Sequence, residues 1–129
     1  MTRIAAMRML CYAMLYLIAF STFAASAAPD YPGCDLNTQH DVQGNVGGAI
    51  TDPRQAHISV RANILQADIA TARKARLLTQ AQAEKMWRQV EQVRKDTNQF
   101  VKKQGFLSAG ERASYDRALD RVASQLCRF

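Results

Sequence analysis

The amino-acid sequence predicts an all-α fold, a three-helix helix-loop-helix bundle with an irregular N-terminal arm tied to it by a disulfide. Three observations lead to this prediction: capping signals that open three helices, apolar residues at helical spacing behind each signal, and a cysteine pair that brackets the bundle. A chain of 129 residues is enough for one domain. We divide it into a signal peptide over 1–27, an arm over 28–51 and a three-helix domain over 52–129.

The first 27 residues have the pattern of an export signal. Arg3 and Arg8 give a basic start, an apolar run extends from Met9 to Phe23, and Ala25-Ser26-Ala27 supplies the small residues of a cleavage site. Because the run is shorter than the ~20 residues that cross a bilayer, we expect cleavage and no membrane span afterwards, with an uncleaved anchor as the alternative. Cleavage leaves 102 residues and lowers the net charge from +6 to +4, since the leader holds two arginines and no acidic residue. The expected location is the periplasm or the secreted fraction.

Cleavage leaves two cysteines, Cys34 and Cys127. An even pair in an exported chain predicts a disulfide, which here would join the arm to the end of the last helix. Closing so long a loop stabilises the fold by roughly 4–5 kcal/mol in the chain-entropy model. Two free thiols or a metal pair is the alternative, although no third or fourth ligand lies at a useful spacing.

The arm is rich in residues that break helices, so we expect it to be irregular. Its breakers are Pro29, Pro32, Gly33, Gly44, Gly47 and Gly48. The segment is longer than an ordinary loop and is either a tethered arm or a flexible lead-in, and the predicted disulfide favours the arm. His40 lies in it, without partners that would make a metal or catalytic site, and we expect a solvated loop histidine.

The first helix is predicted to begin after Asp52, an N-cap residue that Pro53 and Gln55 follow at the positions typical of a helix start. Its inward stripe comprises Ile58, Ala62, Leu65, Ile69 and Ala72. A second row of small and branched residues, roughly opposite, comprises Ala56, Val60, Ile64 and Ala67. A helix that is apolar on two faces needs two neighbours. The second row therefore predicts contact with the arm, with another copy of the chain or with a partner protein.

The second helix is predicted from Thr79 to Lys103, opened by a capping box of Thr79 and Gln82. Its apolar stripe comprises Met86, Val90, Val93, Thr97, Phe100 and Val101. Trp87 lies at the border of this stripe, where it is either a boundary core residue over the helix seam or a half-exposed anchor for a partner. Gly105 suits a left-handed turn after the helix.

The third helix is predicted over Ala109 to Leu126, opened by a capping box of Ser108 and Glu111. Its inward residues are Tyr115, Ala118, Leu119, Val122 and Leu126. Asp116 and Asp120 share one face among arginines, and we expect them to form a surface salt-bridge network. Shifting the chain by 29 residues superimposes the capping box at Thr79 on the one at Ser108, which indicates an internal repeat.

This repeat resembles a unit of small exported bacterial helical proteins, in which a helix, a short G-x-L-[ST]-x-x-E loop and a second helix follow one another. The match is Gly105-Phe106-Leu107-Ser108-Ala109-Gly110-Glu111, and Arg76-Leu77-Leu78-Thr79-Gln80-Ala81-Gln82 is a degraded copy. The resemblance covers residues 54 to 126 and implies a helical fold and an exported location, but no reaction. The unit also resembles an EF-hand in outline. Calcium needs several loop oxygens, however, and neither loop has an acidic residue between its helices.

These features favour a non-catalytic periplasmic or secreted interaction module, which binds a protein partner or a second copy through apolar helix surface. The predicted partner-binding residues are Val60, Ile64, Ala67 and Trp87. We expect neither catalysis nor a cofactor or metal, because the one histidine of the helical part, His57, shares its helix face with no nucleophile or paired carboxylate. The alternative is a basic envelope protein that binds acidic polymers such as lipopolysaccharide. Nucleic acid is not expected, since no aromatic residues interleave with the basic ones.

Overall fold

A computed structural model describes residues 30–129, so the predicted signal peptide over 1–27 lies outside the described residues. The elements are one turn of 3-10 helix at Pro32–Cys34 and four α-helices: α1 (Leu36–Asp41), α2 (Pro53–Lys74), α3 (Gln80–Gln104) and α4 (Ala109–Leu126). No β-strand occurs in residues 30–129. The all-α prediction is confirmed, and α2, α3 and α4 are the three predicted helices.

The two predicted capping boxes are present in full. Thr79 and Ser108 each accept a hydrogen bond from the backbone N–H three residues ahead, and the side chains of Gln82 and Glu111 accept from the N–H of the cap residue. These contacts satisfy backbone donors that have no partner inside the helix. Local sequence therefore sets where α3 and α4 begin.

The start of α2 keeps only half of the predicted arrangement. Asp52 accepts from the N–H of Gln55 at 2.8 Å, as an N-cap should. The Gln55 side chain does not return to Asp52; its Nε2 donates to Oδ1 of Asn98 at 2.5 Å. Gln55 is buried against α3, so its side chain donates to a residue of the neighbouring helix and does not accept from the backbone N–H of Asp52.

The repeat is also visible in the backbone between the helices. Gly105 ends α3 with a φ of 88°, and Arg76, at the equivalent position of the first copy, has a φ of 60°. The leucines that precede the two caps, Leu78 and Leu107, are both buried. A left-handed conformation is uncommon for a residue with a Cβ atom. Arg76 thus keeps the turn of the repeat without the glycine that favours it.

The core lies where α2 packs against α3 and α4. Its buried members from the predicted stripes are Ile58, Ala62, Leu65, Ile69, Ala72, Met86, Val90, Val93, Leu119, Val122 and Leu126. Near the C-terminal end of α3, Phe100 stays exposed and contacts Tyr115 edge-on, with ring centroids 6.2 Å apart. The predicted stripes therefore identify the core well, except where α3 reaches its end.

The arm is more ordered than its composition predicted. It holds the 3-10 turn and α1, and Asp35 caps α1 by accepting from the N–H and hydroxyl of Thr38 at 3.1 and 2.6 Å. The prediction of a wholly irregular arm is therefore wrong. Its prolines and glycines lie before Leu36 and after Asp41, and the six residues between them contain no breaker.

Three contacts place the arm antiparallel along α2. They join Gly33 to Asp68, Val42 to His57, and Gly44 to the backbone of Ala56. At the last of these contacts the arm and α2 approach so closely that a Cβ atom on Gly44 would lie 2.2 Å from the Ala56 carbonyl oxygen. This approach is the physical reason for glycine at that position.

The predicted disulfide between Cys34 and Cys127 is confirmed, with the two Cα atoms 6.0 Å apart. It joins the 3-10 turn of the arm to the residue that follows α4 and closes a loop of 93 residues. The start of the arm is thus fixed covalently to the end of the bundle.

Candidate functional site

The arm covers a row of polar residues on α2 to which the sequence assigned no role. His57, Arg61 and Asp68, which we call the covered polar row, lie at helical spacing on one face of α2 and are all buried. Arg61 is fully buried, with 0% of its surface exposed. Its Nη1 donates to Asp116 Oδ1 and its Nη2 to Asp120 Oδ1, both at 2.7 Å. A charge at this depth is tolerated because two carboxylates of α4 pair with it.

His57 connects the arm to α4 through both nitrogens of its ring. Nδ1 lies 2.6 Å from the carbonyl oxygen of Val42, and Nε2 lies 2.8 Å from Oδ1 of Asp116. The carbonyl oxygen of Val42 can only accept, so Nδ1 is the donor in the contact with the arm. Nη2 of Arg112 lies farther from Nε2, at 3.3 Å, and donates to the His40 carbonyl oxygen at 2.7 Å.

The predicted surface network of Asp116 and Asp120 is wrong in its location and in its main partner. Asp116 is buried, and the arginine that holds both carboxylates is Arg61 of α2. Within α4 the expected pairing survives as a 3.4 Å contact between Arg112 Nε and Asp116 Oδ2. The spacing of residues along α4 predicts this contact. It cannot predict the pairing of Asp116 with Arg61, an arginine 55 residues away in the sequence.

His40 also differs from the solvated loop histidine that was expected. It lies in α1, and although its side chain is about half exposed, Nε2 is 2.9 Å from Oδ2 of Asp120. The helical form of this part of the arm brings His40 to α4. Asp120 therefore receives contacts from the arm and from α2 together.

Two carboxylates under the arm have pKa values that move in opposite directions. Burial alone would raise the pKa of Asp116, but hydrogen bonds from His57 and Arg61 outweigh it and hold the pKa below the ordinary value. Burial raises the pKa of Asp68, and the hydrogen bond from the Gly33 N–H, at 2.7 Å, offsets only part of this effect. Asp116 has cations beside it, whereas Asp68 has a backbone amide.

The chemistry of this cluster is that of an anchor. The ring nitrogens of His57 contact a carbonyl, a carboxylate and a guanidinium group, and no hydroxyl or thiol nucleophile within residues 30–129 is bonded to them. Nor does the described part of the chain contain a group of three or more His, Cys, Asp or Glu side chains placed to hold a metal ion. The polar contacts of the cluster join the arm, α2 and α4 to one another.

The residues predicted to bind a partner lie on the outer side of α2 and on α3. Val60 and Ile64 are half-buried, Ala67 is exposed, and Trp87 is 42% exposed. We call these four residues the outer patch. The arm lies on the neighbouring polar row, and of the predicted second apolar row it is Ala56, beside Gly44, that is fully buried.

A shallow groove between α2 and α3 lies beside the outer patch. Its volume is about 200 Å³, and it is lined by Ile69, Ala70, Ala83 and Trp87 together with the polar side chains of Arg73, Gln80 and Glu84. Ala70 follows Ala67 by one helical turn, so the exposed side of α2 continues toward the groove. Of the outer patch, Trp87 is the residue that lines the groove itself.

Comparison with protein-family models, with curated proteins and with solved structures finds no match to this chain. Within residues 30–129 there is no helix with both the length and the apolar character needed to cross a membrane.

Proposed function

We propose that the protein is a non-catalytic interaction module of the periplasm or secreted fraction, which binds a protein partner or a second copy of itself through the outer patch. One observation carries this proposal. The arm lies along α2 and covers a charged row, while the apolar row beside it, with Val60, Ile64 and Ala67, stays partly or fully exposed.

The chemistry of the patch suits a protein surface as its ligand. Ala67 and Ala70 allow a partner backbone to approach α2 closely, and the half-buried Val60 and Ile64 have apolar surface left to bury. Trp87 provides a large, rigid side chain at the edge, and tryptophan is enriched among residues that dominate binding energy. The surface offers few groups for a small polar ligand.

Two further features support an exported, non-catalytic role. A disulfide that ties the arm to α4 is typical of proteins that work in oxidising compartments. His57, Asp116 and Asp120, side chains of the types that serve acid–base chemistry, are instead paired with one another and with Arg61 under the arm.

The test places a photo-cross-linking residue at position 67 in intact cells that express the protein. We expect specific adducts, or a cross-linked dimer, that disappear when Ile64→Asp is added, because a carboxylate cannot be buried unpaired in an apolar interface. Sedimentation of the purified protein then distinguishes a dimer from a partner complex. Circular dichroism should show unchanged helicity, since Ile64 is only half-buried.

The matched control carries the cross-linker at Gln99, an exposed position on α3 outside the patch. Equal adducts at positions 67 and 99 would count against the proposal. So would loss of helicity in Ile64→Asp, which would assign Ile64 to the core.

A further inference from the structure

A second groove lies between α3 and α4, on the far side of α4 from the charged cluster. It has two adjoining parts with volumes of about 360 and 200 Å³, and Gln125 lines both. Val93 and Val122 form the floor of the larger part and Met86 lines the smaller one. The groove is therefore an open channel along two antiparallel helices, with an apolar floor.

The charges along this groove are unbalanced. Lys85, Arg121 and Arg128 line it, together with a single carboxylate, that of Asp96. None of these three cations forms an ion pair with any residue in the range 30–129. Arg61 and Arg112, on the other side of α4, are both paired with carboxylates. The fold thus neutralises its cations under the arm and leaves those of the groove available to an external anion.

Amide side chains make up much of the remaining wall. Gln89, Gln92 and Gln125 line the larger part. Nε2 of Gln92 already donates to Oδ1 of Asp96 at 2.8 Å, and Oε1 of Gln89 is buried without a hydrogen-bond partner among the described residues. The amide groups left for a ligand are therefore those of Gln125 and the carbonyl oxygen of Gln92.

The charges, amides and buried floor of the groove limit the chemical class of ligand that it can bind. An amphipathic helix needs a broad apolar surface, but Val93 is 7% and Val122 2% exposed, so little apolar area remains to be covered. A peptide that binds by strand addition needs a free sheet edge, and helices offer none. A sugar hydroxyl can both donate to and accept from an amide, and its remaining bonds can face water.

We infer that the α3/α4 groove binds an extended acidic polysaccharide. Its carboxylate or sulfate groups pair with Lys85, Arg121 and Arg128, and its hydroxyls bond to the amide of Gln125 and the carbonyl oxygen of Gln92. Tyr115, half-buried in the larger part, and Phe129, 42% exposed in the smaller part, provide ring faces for the sugars. This site is separate from the outer patch and does not depend on the function proposed for it.

The experiment titrates isotope-labelled protein with short oligosaccharides of alginate, of dextran sulfate and of neutral dextran, followed by NMR. We expect shifts confined to groove residues with both anionic sugars and much weaker binding of neutral dextran. The tighter of the two anionic ligands identifies carboxylate or sulfate as the preferred group. Binding should also weaken as salt is raised.

Two variants separate recognition from general attraction. Arg121→Gln should weaken anionic binding about tenfold, as expected for loss of one charged hydrogen bond. Lys102→Gln removes the same charge from an exposed position of α3 outside the groove and should leave affinity within about twofold. Gln125→Leu should weaken binding although the charge is unchanged.

Several outcomes would overturn the inference. Equal losses of affinity in Arg121→Gln and Lys102→Gln would show that net charge alone causes the binding. An undiminished affinity in Gln125→Leu would exclude sugar recognition by the amides. Tighter binding of an oligoglutamate peptide in the same groove would assign the site to acidic peptides. If neither anionic sugar shifts the NMR signals of groove residues, the groove does not bind acidic polysaccharides.

Discussion

Two rows of side chains run next to each other along α2 and meet opposite surroundings. The covered polar row of His57, Arg61 and Asp68 is buried beneath the arm, whereas Val60 and Ile64 in the adjacent row stay partly exposed. Hydrophobic burial alone would favour the reverse arrangement. Apolar packing contributes to holding the arm, since Tyr31 is a core residue and Leu36 packs against the core, but it does not explain why the arm lies on the charged row.

The contacts of the arm explain its position. The disulfide fixes its start, the N–H of Gly33 donates to Asp68, and the carbonyl of Val42 pairs with His57. Each of these interactions requires a particular partner at a particular position on α2. Specific polar and covalent contacts thus place the arm on the charged row, and the apolar row beside it stays partly exposed.

The strongest way to break this arrangement is to remove the cation at its centre. Arg61→Met should lower the free energy of unfolding by about 3–5 kcal/mol, because Asp116 and Asp120 lose the buried guanidinium that pairs with both, and Asp116 keeps only its longer contact with Arg112 and its bond to His57. Urea unfolding followed by circular dichroism measures the change. The total free energy of unfolding of a small domain is only about 5–15 kcal/mol. The variant should therefore unfold at a clearly lower urea concentration than the native protein.

Arg88→Met is the matched control for this prediction. Arg88 is an exposed arginine of α3 whose nearest carboxylate, on Glu84, lies 3.9 Å away. Surface pairs of this kind contribute less than about 1 kcal/mol. Equal losses in the two variants would mean that the covered row does not stabilise the fold.

Removing the disulfide tests the covalent part of the arrangement. Cys34→Ser combined with Cys127→Ser should lower the free energy of unfolding by about 2–5 kcal/mol, the upper end being the chain-entropy value. The loss should appear first in the arm, where the amide of Gly33 reports docking through its bond to Asp68. Hydrogen exchange at Gly33 should become fast, while amides in the middle of α3 keep more protection.

The same experiment can contradict the model. If the Gly33 amide exchanges as slowly in the serine variant as in the native chain, the polar contacts alone hold the arm. The covered row would then dock the arm without covalent help.

The parts of the fold that local chemistry determines could be predicted from the sequence. The capping boxes at Thr79 and Ser108 involve residues three apart, and the core stripes follow from helical spacing, so both were found. The disulfide followed from the count of cysteines outside the predicted signal peptide. The short helix α1 was missed because the breakers around it dominate the composition of the arm.

The covered polar row could not be predicted, because its partners lie far away along the chain. His57, Arg61 and Asp68 are polar residues at helical spacing, a pattern that usually indicates a solvent face. Only the path of the arm and the approach of α4 turn that face inward. The outer patch was named from its apolar pattern, and its role in binding stays a prediction.

The smallest expected effect concerns pH, and it compares two acids that the arm covers. Asp116 has a lowered pKa in the folded protein. Its contribution to stability is therefore present above the ordinary pKa near 4 and is lost as the pH falls from there through the lowered pKa of the folded state. Asp68 has a raised pKa in the folded protein. As the pH falls, the folded state therefore binds a proton at Asp68 before the unfolded state does, and this favours folding.

Asp116→Asn should therefore flatten the loss of stability in acid, and Asp68→Asn should steepen it. Each change in slope is at most about 1.4 kcal/mol per pH unit, the limit for one proton. Urea unfolding of the two variants between pH 3 and pH 7 measures it, and slopes that change in the same direction would show that the two carboxylates do not have the distinct surroundings described for them.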